Sequence, residues 1–468
     1  MTSPAPQNGY ERAFARLSAQ AERVIDTPCA AVFLTGGEAL KLKKPVDFGF
    51  LDYSTLERRR WAAGRELEFN RATAPDVYLG VIEVEGEPVV RMRRFDEAAV
   101  LANRPEACDG ALAEALGRAV ARFHRQAPVT EEGGAGAIEY VLGSNAGLLR
   151  EGGDVLGSEA VEALVVDSRA AFERVALLLE RRRAAGLSRR CHGDLHLGNI
   201  FVEDGRPVLF DCIEFNDTLN RIDVLYDLAF LLMDLCFVGR LEAANRVMNA
   251  WADEAARSFG EAGFTGLMAL PLLLSVRAGV RAHVSLKADD PAQARRYLQA
   301  ARAFLEPAPP SVLAVGGLSG SGKTTFARAR APDLGPAPGA MLLRSDEIRK
   351  RMWGAGPLDR LPPEAYAPGE SGRVYARMFE EAALCLTVGR AVVLDAVFLR
   401  PEERDAAETL ARDHGVPFEG VWLDAPPQVM RARIDARTGD ASDADGAVLE
   451  EQLTRDPGEI RWTRRPGP

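Results

Sequence analysis

A short segment near the middle of the chain combines carboxylate and amide side chains at close spacing. Residues 191–202 read CHGDLHLGNIFV, and Val208-Leu209-Phe210-Asp211 follows after the turn 203–205. Two apolar strands flanking that turn would bring Asn199 and Asp211 together at the open end of one hairpin. Amide and carboxylate oxygens are hard ligands that suit Mg²⁺. Asp194, just upstream, could orient a hydroxyl group and accept its proton, so the segment predicts a metal–nucleotide site.

A second segment is rich in glycine and contains one of the few lysines. The apolar run Val312–Val315 leads into GGLSGSGKTT, which fits GxxxxGK[ST] from Gly317 to Thr324 between a strand and a helical pattern. Backbone N–H groups of such a loop wrap phosphates, while Lys323 reaches the β and γ oxygens and Thr324 binds Mg²⁺. The predicted nucleotide-binding residues are Gly317, Ser319, Gly320, Ser321, Gly322, Lys323, Thr324 and Thr325.

Charged residues after this loop are candidates for acceptor and lid chemistry. Asp346 and Arg349, at i and i+3, would share a helix face, with a surface ion pair as the alternative. Asp395 ends an apolar strand and could contact metal or acceptor, or simply cap the strand. Arg433 and Arg437 are expected on one helix, where both could neutralise a transferring phosphate, unless that face is merely solvated. Residues 438–445 are expected to form a lid loop.

The first segment also carries a resemblance. HGDLHLGN followed by an aspartate on the next strand resembles the catalytic loop of aminoglycoside phosphotransferases and choline-kinase-like enzymes, which are relatives of protein kinases. The resemblance implies Asp194 as the catalytic base and Asn199 and Asp211 as metal ligands. It also implies that His192 braces the loop, as does Asp227 at a helix start.

The second half resembles a different group of kinases. The Asp-x-x-Arg at Asp346 and Arg349 is similar to that of polynucleotide kinases and zeta-toxin-like kinases. This implies that Asp346 activates an acceptor hydroxyl and that Arg349 holds a substrate phosphate. The pairing of both halves, with KPVDFGFLD at 44–52, resembles a bacterial family of an aminoglycoside-phosphotransferase-like domain fused to an ATP-binding domain, over essentially the whole chain.

A kinase of the first kind needs an upstream lysine for the phosphates and a helix glutamate to hold it. Only six of the 58 basic residues are lysines, and three of them cluster at 41, 43 and 44. Strand alternation puts Lys41 and Lys43 on one face. Lys41 is the preferred phosphate lysine and Lys43 its rival. Glu66 is the preferred partner, and the competing glutamates are Glu57 and Glu68. No GxGxxG precedes the lysines, so a phosphate-covering loop stays unassigned.

The elements that must position these residues follow from hydrophobic periodicity. Before the Pro-rich break at 306–310 we expect strands at 31–34, 39–42, 77–82 and 88–92, a helix at 55–72, and further helices at 111–125, 159–185 and through most of 221–305, with a flexible loop at 133–136. After the break, strands and helices alternate: 312–316, 323–331, 341–343, 372–388, 391–395, 401–414, 418–423 and 427–436. That alternation is typical of a parallel sheet covered by helices.

Bulk properties exclude several classes of protein. The composition is globular (47% hydrophobic, 27% charged), and the net charge of −10 argues against bulk nucleic-acid binding. No apolar run of about 18 residues or signal-peptide core is evident, so no membrane span is expected. The six cysteines form no CxxC pair, which favours a reduced cytoplasm over a zinc or disulfide framework.

These observations predict a mixed α/β and α+β chain with two domains. Residues 1–306 would form a protein-kinase-like bilobal domain, with a small lobe to about 95 and a large lobe from about 96, and 311–468 a P-loop NTPase domain. The predicted function is a bifunctional kinase using ATP and Mg²⁺ on small-molecule or nucleotide-like hydroxyl acceptors. The alternatives are a switch in which one domain gates the other, and a toxin or resistance factor. The acceptors and the oligomeric state stay open.

Overall fold

The computed structural model describes residues 9–49 and 51–468. The strands are β1 Arg23–Asp26, β2 Ala30–Thr35, β3 Glu38–Lys43, β4 Tyr78–Val84, β5 Glu87–Arg93, β6 Ser188–Arg190, β7 Ile200–Glu203, β8 Arg206–Leu209, β9 Arg221–Asp223, β10 Val312–Gly316, β11 Met341–Arg344, β12 Val392–Asp395, β13 Phe418–Asp424 and β14 Thr463–Pro466. The helices are α1 Gly9–Ser18, α2 Leu56–Arg71, α3 Gly110–Gln126, α4 Gly134–Glu151, α5 Gly153–Leu156, α6 Ser158–Ala184, α7 Asp217–Asn220, α8 Val224–Phe237, α9 Leu241–Phe259, α10 Ala262–Thr265, α11 Leu270–Lys287, α12 Pro291–Ala303, α13 Lys323–Arg330, α14 Ser345–Met352, α15 Pro368–Thr387, α16 Pro401–Asp413, α17 Pro427–Asp435 and α18 Gly446–Thr454.

The chain forms two compact units that are each discontinuous in sequence. One comprises the residues up to Val141 together with Leu179–Asp234, and the other comprises Leu142–Leu178 and Leu235–Pro468. The units therefore do not divide at the Pro-rich segment 306–310, and helices α9 to α12 group with the second half of the chain. The domain limits 1–306 and 311–468 remain a prediction from the sequence.

The first unit is built on a five-stranded antiparallel sheet with the order β1-β2-β3-β5-β4. Helix α2 connects β3 to β4 and packs on β4 and β5. Thr55 caps α2 by accepting the N–H of Arg58, which fixes where the helix begins. Two short hairpin-like pairs, β7–β8 and β6–β9, complete the strands of this unit. Because β3 pairs with β5, on which α2 packs, the side chains of Lys41 and Lys43 on β3 can reach Glu66 on α2.

The second unit is built on a five-stranded parallel sheet with the order β11-β12-β10-β13-β14. Its central strands are continuous runs of apolar residues, such as Val312–Gly316, which is buried throughout. Both faces of a parallel sheet are covered, so such runs are expected. The carboxyl ends of β10, β11 and β12 lead directly into Gly317, Ser345 and Ala396. Parallel strands thus deliver the second site to one edge of the sheet.

Most expected elements are present within a few residues of the predicted bounds, and the exceptions are local. The expected flexible loop at 133–136 is wrong, because α4 begins at Gly134. Glu180 Oε1 accepts the N–H of Ala135 at 2.7 Å, which stabilises this helix start. The periodicity did not predict α1, β1, α18 and β14, which are short and weakly apolar.

One stretch of the described chain, Ala262–Lys287, is long and apolar enough to cross a membrane by length and composition. Its most apolar window is 78% buried inside the protein, as in the core helix of a globular fold. The stretch is not an uninterrupted apolar run, since it contains Arg277 and Arg281, so it does not contradict the expectation that no membrane span is indicated. The burial of that helix has a local cause, since α11 packs along α12.

Candidate active sites

The first site lies on the β7–β8 hairpin and the loop that precedes it. Ile200 pairs with Leu209, and the N–H of Phe210 donates to the carbonyl of Asn199 at 3.0 Å. Asn199 and Asp211 therefore lie at the same end of the hairpin, as the sequence predicted. Asp204 and Gly205 have φ of 49° and 72°, which allows the tight turn at the other end.

The loop carrying Asp194 is held from behind by buried groups. The carboxylate of Asp227 accepts the backbone N–H of His192 at 3.1 Å and of Gly193 at 2.8 Å. A Cβ at Gly193 would lie 3.0 Å from the carbonyl of Leu219, and φ there is +84°, so glycine suits the position. His192 is fully buried, its Nε2 lies 2.9 Å from the carbonyl of Phe210, and burial lowers its pKa. His192 and Asp227 thus occupy the positions from which, by the resemblance, they would brace the loop.

The amide of Asn199 orients Asp194. Its Nδ2 donates to the Asp194 carbonyl at 2.9 Å and to Asp194 Oδ2 at 3.0 Å. His196 Nε2 lies 3.4 Å from the same carboxylate oxygen. The Oδ1 atom of Asn199 takes no hydrogen bond from any residue that the structure describes. The amide nitrogen thus fixes the carboxylate and leaves an oxygen available as a hard metal ligand.

Lys41, on β3 of the antiparallel sheet, contacts Asp211, which follows the β7–β8 hairpin. Its Nζ donates to Glu66 Oε1 at 2.8 Å and to Asp211 Oδ1 at 2.7 Å. Burial opposes its charge, but the carboxylates of Asp211 and Glu66 outweigh burial and hold the pKa of Lys41 well above its ordinary value. The side chain of Asp211 is 42% exposed, so this ion pair lies at the solvent-facing end of the network.

Lys43 also pairs with Glu66, but its side chain is buried. It is 2% exposed and donates to Glu66 Oε2 at 2.6 Å, to the hydroxyl of Tyr53 at 3.3 Å and to Glu214. Burial opposes the ionised form of Glu66, but Lys41 and Lys43 prevail and lower its pKa to about 2. A single buried carboxylate therefore holds two lysines, one facing Asp211 and the other closed off.

The sequence did not predict Glu214 and Tyr53 as members of this network. The sequence did carry a signal for Glu214. It is an acidic residue in the mostly apolar stretch 208–215, where two apolar residues separate it from Asp211. The two rival glutamates lie elsewhere: Glu57 is exposed, and Glu68 pairs with Arg190 on the surface. Tyr78 was also missed, and its hydroxyl accepts the N–H of Asp211 at 3.1 Å.

The second site begins at the loop between β10 and α13. Gly320 and Gly322 have φ of 81° and 95°, and a Cβ at Gly320 would lie 2.5 Å from the carbonyl of Met430. Ser319 N–H donates to Gln452 Oε1 at 2.8 Å, while the buried Oγ of Ser321 has no partner in the described chain. Thr325 is exposed on the first turn of α13. The loop has the geometry expected of a phosphate cradle.

The lysine and the threonine of this loop meet the strand ends. Lys323 Nζ donates to the carbonyl of Leu318 at 2.9 Å, and burial lowers its pKa more than Asp395 and Asp346 raise it. Thr324 Oγ1 donates to Asp395 Oδ2 at 2.6 Å. The structure thus brings Lys323, Thr324 and Asp395 together, which suits a magnesium-bound polyphosphate.

Asp346 and Arg349 both lie on α14, as expected, but in different surroundings. Asp346 takes no hydrogen bond or ion pair within the described ranges. Burial raises its pKa, assisted by Asp395 and Asp440 and opposed by Arg344 and Lys323. Arg349 is 7% exposed and donates to the carbonyl of Ala365 at 2.5 Å.

The expected lid arginines are not on one helix. Helix α17 ends at Asp435, so Arg437 lies just beyond it, because Ala436 closes the last turn. Arg433 Nη1 lies 3.4 Å from the carbonyls of Gly320 and Ser321. The Nη1 atom of Arg437 is buried without a hydrogen-bond partner in the described chain, and Arg437 is close enough to lower the pKa of Lys323. The prediction that one helix presents both arginines was therefore wrong.

The expected lid loop is anchored by residues that the sequence analysis missed. Arg344, at the end of β11, contacts Asp440 at 3.0 Å, Asp395 at 3.4 Å and the hydroxyl of Thr324 at 3.3 Å. Asp443 contacts Lys350 at 3.1 Å. Arg344 could have been singled out because it directly precedes Ser345 and Asp346 in the sequence. Its contacts with Asp440, Asp395 and Thr324 had no signal in the sequence.

Two family models match separate stretches of the chain. The family described as "Phosphotransferase enzyme family" matches residues 54–262, and the family described as "AAA domain" matches residues 312–456. Uncharacterized proteins of Mycobacterium tuberculosis and Mycobacterium bovis are 33% identical over 458 residues, covering 92% of this chain and 89% of theirs.

Solved structures of kinases are also similar to parts of the chain. A gluconokinase from Sinorhizobium meliloti is 26% identical with a TM-score of 0.23, covering 34% of this chain and 84% of its own. A choline/ethanolamine kinase family protein from Mesorhizobium loti is 16% identical with a TM-score of 0.35, covering 64% and 95%. An ethanolamine kinase from Plasmodium vivax is 11% identical with a TM-score of 0.38, covering 60% and 80%. At these TM-scores none of the three supports an assignment.

The two family matches fall on the two predicted kinase segments, and the mycobacterial relatives share nearly the full length. The predicted fold class, a protein-kinase-like part followed by a P-loop part with a parallel sheet, is confirmed. The chain belongs to the two-domain family in which a phosphotransferase-family kinase domain is followed by a P-loop domain of the AAA type.

Proposed function

We propose that this phosphotransferase-family protein is bifunctional, each site transferring the γ-phosphate of ATP to a hydroxyl group. The observation that carries the proposal for the first site is the position of Lys41 between Glu66 and Asp211. A lysine so held is fully charged and fixed next to the carboxylate assigned to the metal. That arrangement is what positioning and electrostatic stabilisation of a phosphoryl group require.

In the first site, Asp194 would accept the proton of the acceptor hydroxyl while Asn199 keeps its carboxylate oriented. Lys41 would bind phosphate oxygens, and Lys43 would hold Glu66 in place behind it. Asn199 Oδ1 and Asp211 would hold Mg²⁺, whose charge would offset that of the phosphates. This preference for Lys41 rests on its contact with Asp211, which Lys43 lacks.

In the second site, Lys323 and the loop amides from Gly320 to Thr324 would bind the phosphates of ATP. Thr324 and Asp395 would hold Mg²⁺, which suits their paired oxygens. Asp346, whose carboxylate is unpaired in the described chain and has a raised pKa, would accept the acceptor proton. Arg433 and Arg437 would steady the loop and the transferring phosphate.

The test is whether two activities can be removed separately. Wild type, Asp194→Ala, Lys323→Ala and the double variant are incubated with Mg²⁺, labelled ATP and a pool of metabolites, and products gaining a phosphate are identified by mass. Each single variant should lose its own set of products by at least 10²-fold and keep the other set. Glu68→Gln, on the surface, is a control. Loss of all products in one single variant would contradict independent sites.

One observation favours a second candidate, in which one domain gates the other. Helix α9 lies within the phosphotransferase match, yet Asn249 Oδ1 accepts the N–H of Leu342 on β11 at 2.7 Å, two residues before Arg344. Nucleotide titration by calorimetry separates the candidates. Binding without turnover at one site, with altered turnover at the other, would favour the switch.

Two further proposals concern the acceptor of the first site and the location of the protein. The acceptors of the first site would be small molecules or nucleotide-like compounds. Six free cysteines, four of them buried, agree with the reducing cytoplasm proposed as the location. Growth of a host expressing wild type or the double variant, with and without a drug panel, would show whether either activity acts as a toxin or confers resistance.

A further inference from the structure

Tyr53 lies at the enclosed end of the network around Glu66 and has no role in the proposed phosphotransfer so far. It is 2% exposed. Its hydroxyl donates to Glu214 Oε1 and accepts from Lys43 Nζ at 3.3 Å. Lys43 also donates to Glu214 Oε1, so the three side chains form a closed triangle of hydrogen bonds. The Tyr53 hydroxyl therefore bears on the orientation of Lys43.

All three N–H donors of the Lys43 ammonium group are used. They go to Glu66 Oε2 at 2.6 Å, to Glu214 Oε1 and to the Tyr53 hydroxyl. The partners come from α2, from the segment after β8 and from the segment before α2, so they hold the ammonium group from three parts of the first unit. The Tyr53 hydroxyl is the uncharged partner, and its removal would leave the charges of the network unchanged.

The position of Lys43 determines how Glu66 holds Lys41. Glu66 is fully buried and its two oxygens are divided, since Oε1 accepts from Lys41 at 2.8 Å and Oε2 from Lys43 at 2.6 Å. A displacement of Lys43 would therefore turn the carboxylate that Lys41 contacts. Within the described chain Lys41 has two partners, Glu66 and Asp211, so its third donor is available to a phosphate oxygen.

The backbone and the ring of Tyr53 are themselves fixed. Its N–H donates to the carbonyl of Val46 at 2.8 Å, and its own carbonyl accepts from Arg59 Nη1 at 2.9 Å. Its side chain packs with Leu51 and Ala62 in one apolar cluster. A group that is locked by packing and backbone hydrogen bonds can hold a neighbouring functional side chain in place.

We propose that Tyr53 is a positioning residue of the first site. Its hydroxyl orients Lys43, Lys43 orients Glu66, and Glu66 directs the available donor of Lys41 towards the phosphates of ATP. Tyr53 acts through these residues and is not itself catalytic. This inference rests on the proposed phosphotransfer at the first site, with Lys41 as its phosphate lysine.

The test follows the products that Asp194→Ala removes, so that the readout reports the first site. Labelled ATP, Mg²⁺ and the metabolite pool are supplied to the full chain, and kcat/KM for ATP is measured. Tyr53→Phe should lower this value roughly tenfold, because a small displacement of a positioned group costs up to about 10²-fold. The products of the second site should keep their kcat/KM. An unchanged value at the first site, or an equal fall at both sites, would overturn the inference.

A combination with Lys41→Met separates positioning from stability. If Tyr53 acts through Lys41, Tyr53→Phe should lower kcat/KM no further in the Lys41→Met chain, although it shifts the urea midpoint equally in both backgrounds. A merely structural tyrosine would lower kcat/KM by the same factor in both backgrounds, which would contradict the proposal. Tyr140→Phe, at an exposed tyrosine, is the matched control and should change neither quantity.

A second variant and a reference measurement keep the outcomes separable. Glu214→Gln changes the acceptor of the Tyr53 hydroxyl and should also lower kcat/KM at the first site, and unchanged kinetics would count against the proposed series of contacts. If no product depends on Asp194, or if Lys41→Met leaves the first-site products unchanged, the proposed function fails and not the role of Tyr53 alone.

Discussion

Two lysines on β3 share Glu66, yet a substitution at each should have a different consequence. Lys43→Met would leave the carboxylates of Glu66 and Glu214 buried without the positive charge of Lys43. We therefore expect a loss of about 3–5 kcal/mol in the free energy of unfolding. Lys41→Met removes a charge facing the half-exposed Asp211, so we expect turnover at the first site to fall about 10²–10³-fold with a smaller loss of stability.

Urea unfolding and turnover of each variant would check this pair of predictions. Lys287→Met, at the exposed end of α11, is the control and should change neither quantity. The assignment of the phosphate lysine would be reversed if Lys43→Met lost activity at full stability while Lys41→Met unfolded the first unit.

Asp346 gives a prediction in which stability and activity move in opposite directions. Burial raises the pKa of Asp346, so the folded state binds its proton more tightly than the unfolded state does. The ionised form therefore destabilises the fold as pH rises through this pKa. Asp346→Asn should be at least as stable as wild type at pH 7, while transfer at the second site is lost.

The same pKa shift sets the acid limb of the pH–rate profile. A general base must be deprotonated, so kcat/KM of the second site should fall as pH drops through a value above the ordinary aspartate pKa of about 3.9. Rates between pH 4 and 8, with thermal unfolding of Asp346→Asn, would measure both effects. A destabilised variant that keeps its activity would assign Asp346 a structural role.

At the scale of elements, α9 covers the edge strand of the parallel sheet. Asn245 Nδ2 donates to the carbonyl of Ala340 at 3.0 Å, and Asn249 accepts the N–H of Leu342. Strand β11 is the edge strand of its sheet, and an uncovered edge exposes unpaired backbone groups. Because β11 ends at Arg344 and α14 begins at the next residue, the position of Asp346 depends on the contact between α9 and β11.

Asn249→Leu should therefore lower stability by about 1–3 kcal/mol, because the N–H of Leu342 loses its acceptor in a half-buried place. Turnover at the second site should fall with it, while the first site keeps its rate. Glu242→Ala, on the exposed face of the same helix, is the matched control. Unchanged unfolding of Asn249→Leu in urea would show that the amide contact adds nothing to the sheet edge.

The elements that bear the sites could be predicted from sequence because their signals are local. HGDLHLGN and the following strand fixed the hairpin of Asn199, and the glycine pattern at 317–324 fixed the phosphate loop. The cations that pair with Glu214 and Asp440 could not be predicted, because tertiary proximity and not sequence spacing determines which charged groups meet. The covering of β11 by α9 depends on residues about 90 positions apart, for which no periodicity exists.

For the whole molecule, the contacts of α9 imply that the sequence boundary at 306–310 is not a boundary of stability. This segment is mostly exposed, so a protease site placed there can be cut without disturbing a packed element. Yet α9 precedes the cut and binds the sheet that follows it. Asp253 and Glu381 both pair with Arg351, and Arg257 donates to the carbonyl of Ala355 at 2.6 Å.

We therefore expect the two halves of a chain cleaved at 306–310 to remain associated and to elute together in size-exclusion chromatography at 0.15 M salt, with nucleotide binding retained. Asn249→Leu combined with Arg351→Ala should release them, since it removes the strand contact and leaves Asp253 and Glu381 without their shared cation. The uncut chain bearing the protease site is the control. Separation of the unsubstituted halves after cleavage would mean that the second half folds and stays soluble without α9, and that the edge of β11 needs no cover.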